Sequence, residues 1–230
     1  MRGLQIEDLD LLVGGRALLR SFDLLVGAGT VTTLMGPSGC GKSSLLSWLC
    51  GTLEPAFEAS GRAWLDDLPI DGLPPEGRRI GILFQDDLLF PHLSVGGNLA
   101  FALPPSVGGR GLRRARVEAA LREADLVGFA RRDPATLSGG QRARVALMRT
   151  LLSEPRALLL DEPFAKLDAE LRQRVRRFVF DHAREAALPT LLVTHDPADA
   201  ESAGGAVIAF PEITPPGKVV PLRKGEQRLA

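Results

Sequence analysis

Glycine, lysine and serine recur in one short stretch with the spacing of a phosphate-binding loop. Residues 36–43 read GPSGCGKS and fit the pattern G-x-x-x-x-G-K-S, with Gly36, Gly41, Lys42 and Ser43 at its fixed positions. Glycines there let backbone N–H groups converge on an anion, and the start of the following helix adds the positive end of its dipole. Lys42 would reach the β- and γ-phosphates, and the Ser43 hydroxyl would bind Mg²⁺. The stretch predicts a site for a nucleoside triphosphate.

The segments on either side of this loop supply the elements that must position it. Residues 31–35, VTTLM, are apolar and β-branched, which predicts a buried strand, and Leu45, Leu46, Trp48 and Leu49 recur at helical spacing after the loop. A strand, a glycine loop and a helix in that order distinguish a phosphate-binding loop from a chance match. The predicted nucleotide contacts of the loop are Gly36, Pro37, Ser38, Gly39, Cys40, Gly41, Lys42, Ser43 and Ser44.

Two carboxylates follow a second apolar run. Residues 157–160, ALLL, are typical of a strand buried on both faces of a parallel sheet, and Asp161 and Glu162 come directly after them. In a phosphate-loop ATPase an aspartate at such a strand end binds Mg²⁺. The next carboxylate can orient the attacking water as a general base. The alternative is that Asp-Glu-Pro only turns the chain, but the phosphate-binding loop favours the catalytic interpretation.

A further helix start at residues 137–141, LSGGQ, is suited to an anion. Ser138 is a good N-cap, and the two glycines after it allow close backbone approach. By themselves these residues predict no more than a capped helix. The same five letters, however, are the signature sequence of ABC-type ATPases.

The chain resembles that family over about residues 4–210. The order of the motifs agrees as well as their letters: phosphate-binding loop, Gln85 after a strand, signature, Asp161-Glu162 and then His195. A lone histidine at a strand end is otherwise more often an ordinary surface or core residue. Its place in this order favours a catalytic role.

The resemblance implies an ATPase that uses ATP and Mg²⁺ and acts as a head-to-tail homodimer. Each nucleotide would lie between the phosphate-binding loop of one subunit and the signature of the other, where Ser138, Gly140 and Gln141 would contact it in trans. The implied catalytic residues are Glu162 as general base, His195 at the γ-phosphate, Lys42 on the phosphates and Gln85, which senses metal and water. The implied metal contacts are Ser43, Gln85 and Asp161.

The position at which family members usually carry an aromatic that stacks on adenine falls on Val13, and the chain contains no tyrosine. Stacking is therefore either lost or supplied by another side chain, such as Phe22. The phosphate contacts do not depend on this choice. We expect weaker discrimination between ATP and GTP than in relatives that have the aromatic.

Strands alternating with helices predict an α/β fold with a phosphate-loop, RecA-like NTPase core. We expect an N-terminal antiparallel β subdomain and a helical subdomain that carries the signature. The predicted division of this single ABC ATPase domain is 1–85 for the β subdomain and the phosphate-loop part of the core, 86–153 for the helical subdomain, 154–210 for the rest of the core, and 211–230 for a short tail.

The composition of the chain limits the kinds of partner and cellular environment that we expect for it. Lysine plus arginine and aspartate plus glutamate number 28 each, so bulk charge gives no indication of a nucleic-acid partner. No apolar run reaches about 18 residues, which argues against a membrane span. Cys40 and Cys50 are too few for a disulfide framework and predict reduced thiols. We expect a peripheral protein at the cytoplasmic face of the inner (plasma) membrane, held there by permease subunits and served indirectly by a solute-binding protein.

Three functions agree with these motifs. The first is the ATPase subunit of a membrane importer, with a weak preference for the thiamine-transport group. The second is an exporter-type or lipoprotein-releasing ABC ATPase, and the third a soluble ABC ATPase of DNA repair or translation. The segment 85–93, QDDLLFPHL, resembles the importer version of the loop that docks a membrane subunit. The alternative is that Leu88, Leu89 and Phe90 belong to the core of the helical insertion, but docking is favoured.

Overall fold

The computed structural model describes residues 3–37, 39–165 and 167–210, so the predictions for Ser38 and for the tail 211–230 lie outside the described residues. Its strands form two sheets, and its helices flank the second of them. In chain order the elements are β1 (Gly3–Val13), β2 (Arg16–Gly27), β3 (Val31–Met35), α1 (Lys42–Cys50), β4 (Phe57–Leu65), β5 (Leu68–Pro69), α2 (Pro75–Arg78), β6 (Ile80–Leu83), α3 (Val95–Ala102), α4 (Arg110–Glu123), a 3₁₀ turn (Pro134–Thr136), α5 (Gly139–Leu152), β7 (Ala157–Asp161), α6 (Ala169–Glu185), β8 (Thr190–Thr194), α7 (Pro197–Ala203) and β9 (Ala206–Ala209).

Alternating apolar residues at the N-terminus build a four-stranded antiparallel sheet in the order β2-β1-β4-β5. β1 and β2 form a hairpin whose turn residues, Gly14 and Gly15, have φ of 55° and 77°, the region that glycine adopts without strain. These two strands run for 11 and 12 residues. They stay paired over that length because register shifts absorb the breaks in the alternation.

The second sheet is parallel, with the strand order β6-β7-β8-β3-β9. Its interior strand β7 is buried on both faces: Leu158 and Leu160 pack into one apolar cluster, and Ala157 and Leu159 into the other. The first cluster holds the helices α3 to α6 against the sheet, and the second holds α1 and the antiparallel sheet. The predicted α/β fold class is confirmed, with its antiparallel sheet and its helical part beside a parallel sheet.

The end of α1 is fixed by a buried arginine. The Arg78 guanidinium donates to the carbonyls of Trp48 at 2.7 Å and Leu49 at 3.0 Å, which are the groups a helix C-terminus leaves unpaired. Gly51 caps the helix with φ of 75°, and a side chain there would overlap the guanidinium. Burial raises the pKa of the neighbouring Cys50 thiol to about 11, opposed by the Arg78 charge, so this thiol stays protonated and unreactive.

Two arginines of α5 form hydrogen bonds with the segment that follows β6. Arg149 donates to the carbonyls of Leu88 at 2.7 Å and Asp87 at 3.2 Å, and Arg142 donates to the Asp87 carboxylate at 3.2 Å. Gly139 and Gly140 form the first turn of α5, directly after its N-cap Ser138.

Among the described residues, none of the helices combines the length and the apolar character that a bilayer crossing requires.

Candidate functional site

A cleft of about 490 Å³ opens where the carboxyl ends of β3, β6 and β7 meet the antiparallel sheet. This edge is where ligands bind in open parallel sheets. The lining residues are Val13, Leu18, Gly39, Gly41, Lys42, Ser43, Ser44, Phe57, Gln85, Asp161 and Glu162. All of them except Leu18 and Phe57 were predicted from the sequence as site residues. A groove of about 630 Å³ between α5 and α6 is larger but contains none of the predicted site residues.

The loop at residues 36–43 wraps its own lysine. The Lys42 side chain is only 6% exposed, and its ammonium donates to the carbonyls of Gly36 and Pro37 at 2.7 Å each. The Cys40 sulfur lies 3.6 Å from the same ammonium. Because these carbonyls accept hydrogen bonds from the buried ammonium, the loop holds Lys42 in place at the first residue of α1.

Ser43 and Asp161 meet at the end of the cleft that the sequence assigns to metal. Both residues line the cleft, and Gln85 lines the same space. Burial is the largest cause that raises the pKa of Asp161, the Glu162 charge adds to it, and Ser43 and Lys42 oppose it. A divalent cation would offset this cost. The oxygen donors fit Mg²⁺, which usually binds through one or two carboxylates plus substrate phosphates. Neither here nor elsewhere in the described residues do three His, Cys, Asp or Glu side chains form a cluster that could hold a metal ion.

Asp161→Asn is expected to raise the melting temperature of the nucleotide-free protein and to remove its stabilisation by MgATP. The raised pKa means that the carboxyl favours folding below its ordinary value of 3.8 and that this contribution is lost as pH rises through the raised pKa. At neutral pH the ionised group is therefore a cost that asparagine avoids. Thermal melting at pH 5 and pH 8, with and without MgATP, measures both effects. A variant that melts below the wild type without nucleotide at pH 8 would contradict this account.

Glu162 and His195 face each other across the ends of β7 and β8. His195 Nδ1 lies 3.0 Å from Glu162 Oε1, and the histidine side chain is 63% exposed. The Glu162 backbone has φ of 46°, a conformation that non-glycine residues rarely adopt, and its N–H donates to the Val193 carbonyl at 2.9 Å. This bond to β8 holds the strained residue and aims its carboxylate at the exposed edge of the sheet.

A buried polar network supports the segment that carries His195. The Thr194 hydroxyl donates to Asp199 at 2.7 Å, and Arg176 from α6 pairs with both Asp199 and Asp196. The Ala198 N–H first, and then the charges of Arg176 and its neighbour Arg172, hold the pKa of Asp196 below its usual value. This network was not predicted from the sequence. The only signal was a pair of aspartates just after His195.

The signature residues lie outside the cleft of their own chain. Ser138 caps α5 by accepting from the Gln141 N–H at 3.3 Å, while the Gln141 side chain accepts from the Ser138 N–H at 3.0 Å. Gly140 is buried, and a methyl group there would overlap the Leu171 side chain. Ser138 remains exposed, so the helix start presents it to the outside of the subunit.

A family model described as "ABC transporter" matches residues 19–165, more than half of the chain. The chain belongs to the ABC transporter ATP-binding family. The predicted resemblance is confirmed, and the chain is an ATPase of that family.

Relatives of this ABC ATPase cover it almost completely. An uncharacterized ABC transporter ATP-binding protein of Escherichia coli K12, YnjD, is 50% identical over 194 residues, which are 84% of this chain and 89% of YnjD. The Fe(3+) ions import ATP-binding protein FbpC 3 of Rhodococcus jostii is 42% identical over 211 residues, covering 89% of this chain. This chain spans only 58% of FbpC 3.

A solved structure has the same fold. The dimeric post-hydrolysis state of the ATP-binding cassette MJ0796 bound to ADP and Pi superposes with a TM-score of 0.78 at 28% identity, over 90% of this chain and 93% of that one. The α/β architecture of the ABC cassette and its nucleotide-binding character are thus confirmed.

Proposed function

We propose that this chain powers the import of a solute through a membrane permease by hydrolysing ATP in a head-to-tail homodimer. The observation that carries the proposal is the convergence of Lys42, the Ser43–Asp161 pair and the Glu162–His195 pair at one edge of the sheet. YnjD is 50% identical to this chain over 194 residues, and FbpC 3 is named as an import ATP-binding protein. The solute itself, including the thiamine-like assignment, stays a prediction.

The residues divide the work of hydrolysis. The phosphate-binding loop and Lys42 would hold the triphosphate, and Ser43, Asp161 and Gln85 would hold Mg²⁺, which supplies charge stabilisation when bound. Glu162 would accept the proton of the attacking water as the bond to the γ-phosphorus forms and the bond to ADP breaks. His195 would steady the same region, because its ring already contacts the Glu162 carboxylate.

The exposed signature supports a site completed by a second copy. Ser138 lies outside its own cleft, and the matching MJ0796 structure is described as dimeric. Head-to-tail pairing would bring Ser138, Gly140 and Gln141 of one subunit to the nucleotide of the other. The division into β subdomain, core and helical subdomain serves this arrangement, because the phosphate-binding loop and the signature lie in different subdomains.

If the site forms in trans, specific ATPase activity should rise with protein concentration. A sharper form mixes two inactive variants, Lys42→Ala and Ser138→Asp, the second of which keeps a good N-cap but places a charge against the phosphates. With random pairing, about half of the dimers contain one copy of each variant, and each of these dimers has one intact site out of two. About a quarter of wild-type activity should therefore return. A mixture that stays inactive, or a rate independent of concentration in a monomeric protein, would refute the trans site.

Exposed apolar side chains next to Gln85 support a permease partner. Leu88 is 56% exposed and Phe101 67%, and the Phe101 ring packs edge-on to Phe90 with 4.8 Å between centroids. Leu89 instead packs against the apolar cluster of the helices. Within this segment, Leu88 is therefore available for docking, whereas Leu89 belongs to the core. Such a patch fits the docking of an apolar element of a membrane subunit at the cytoplasmic face of the membrane.

Co-purification from membranes tests the importer against its alternatives. A multi-span membrane protein retained by the wild type and lost on Leu88→Asp, with ATPase activity unchanged in solution, supports the permease partner. A protein that never associates with membranes would favour the soluble class. An adjacent gene for a periplasmic solute-binding protein would support import over export.

A further inference from the structure

Phe57 is the one aromatic side chain among the described residues that line the cleft. The phosphate-binding residues occupy one end of the cleft, where Lys42, Ser43 and Asp161 converge. Its remaining apolar lining comes from Val13, Leu18 and Phe57. The cleft therefore has a charged part suited to phosphates and an apolar part suited to a flat ring.

Strand register places Phe57 directly beside Val13. The two residues are cross-strand partners in the antiparallel pairing of β1 with β4, so their side chains share one face of the sheet. Leu18 lies on the same side and contacts the backbone of the phosphate-binding loop, since a side chain at Gly41 would meet Leu18 at 3.3 Å. Leu18 thus spans from the loop towards the two strand ends.

The phenyl ring is anchored on one side and open on the other. Phe57 is half-buried and packs against the apolar cluster beneath the antiparallel sheet, whereas its neighbours Ala56 and Glu58 are exposed. A ring held in this way loses little further freedom when a ligand covers its open face.

Phe22, the other side chain considered for this role, is excluded by its position. It is 1% exposed and packs in the core with its ring centroid 6.0 Å from that of Phe210. Phe22 does not line the cleft, so its position does not support this alternative for the stacking side chain.

We propose that Phe57 forms the stacking wall for the nucleotide base, across the strand from Val13, where family members usually carry the aromatic. The inference rests on the proposed function, since it requires that the cleft holds a nucleotide. Base stacking on an aromatic side chain tolerates any base, because every base has a π-face. A phenyl ring without polar atoms would then bind purine nucleotides with little choice between adenine and guanine.

Calorimetric titration with two ligands tests this role. Phe57→Ala should weaken MgATP binding about tenfold, equivalent to about 1.4 kcal/mol and within the usual range for stacking on a base. Magnesium tripolyphosphate, which has no base, should bind both proteins equally. Phe57→Tyr should bind ATP as the wild type does. Adding Val13→Tyr to Phe57→Ala should restore the lost affinity, because it returns an aromatic to the neighbouring strand.

Each other result overturns the inference. Unchanged ATP affinity in Phe57→Ala would show that the ring does not touch the base, and an equal loss for ATP and tripolyphosphate would show that Phe57 only supports the fold. Melting temperatures of the variants identify the second case independently. A wild type that binds neither ligand would instead overturn the proposed function itself, so the two failures are distinguishable.

Discussion

Glu162→Gln is expected to lower ATP turnover by about 10²–10⁴-fold while leaving ATP and Mg²⁺ binding intact. The amide has nearly the shape of the carboxylate and keeps an oxygen for the contact to His195 Nδ1. In the wild type, the Glu162 oxygen lies 3.0 Å from this nitrogen. It cannot accept the proton of the attacking water. Since Lys42, Ser43 and Asp161 remain, bound ATP should persist and hold two subunits together.

Two measurements on this variant distinguish chemistry from folding. Steady-state ATPase assays give the loss of turnover, and sedimentation velocity with and without MgATP detects the trapped dimer. Glu201→Gln, an exposed change of the same kind on α7, should leave both quantities at wild-type values. A Glu162→Gln protein that demonstrably binds ATP yet stays monomeric would count against the assignment of Glu162 as the base.

Lys42→Ala is expected to weaken ATP binding roughly 10- to 100-fold, because hydrogen bonds to charged groups contribute about 1.5–3 kcal/mol. The Lys42 ammonium donates to the Gly36 and Pro37 carbonyls, which hold it within the phosphate-binding loop. Alanine removes the charge and leaves both carbonyls without their donor.

The binding loss must be separated from a collapsed loop. Lys42→Arg keeps a positive charge but carries a larger planar group, so it should retain more affinity than alanine while still impairing turnover. Equilibrium dialysis with ATP and melting curves without it provide the comparison. ATP affinity unchanged in a folded Lys42→Ala protein would remove the lysine from the phosphate site.

The candidate site could be proposed from the sequence because its residues lie at strand ends. Gly36, Asp161 and His195 each follow an apolar run, and a parallel sheet necessarily brings such positions to one edge. These positions can be placed at that edge without knowing which residues far apart in the sequence contact each other. The fold class followed from the same alternation of strands and helices.

What the sequence could not predict depends on long-range register and packing. Phe57 faces the cleft because β1 and β4 pair with a shift in register part-way along, which no local pattern encodes. Arg176 reaches Asp199 only through the packing of α6 on α7, and Phe22 is buried by the sheet that folds over it. These contacts are decided by tertiary structure.

The arginine ties from α5 to the segment after β6 have a consequence for the proposed dimer. Ser138 at the start of α5 would contact the partner's nucleotide, while Gln85, just ahead of Asp87 and Leu88, lines the cleft of its own subunit. Arg142 and Arg149 join these two places within one body. Each subunit would therefore contact both active sites of the dimer through one connected body. Nucleotide binding at one site would then affect the other site through the protein as well as across the interface.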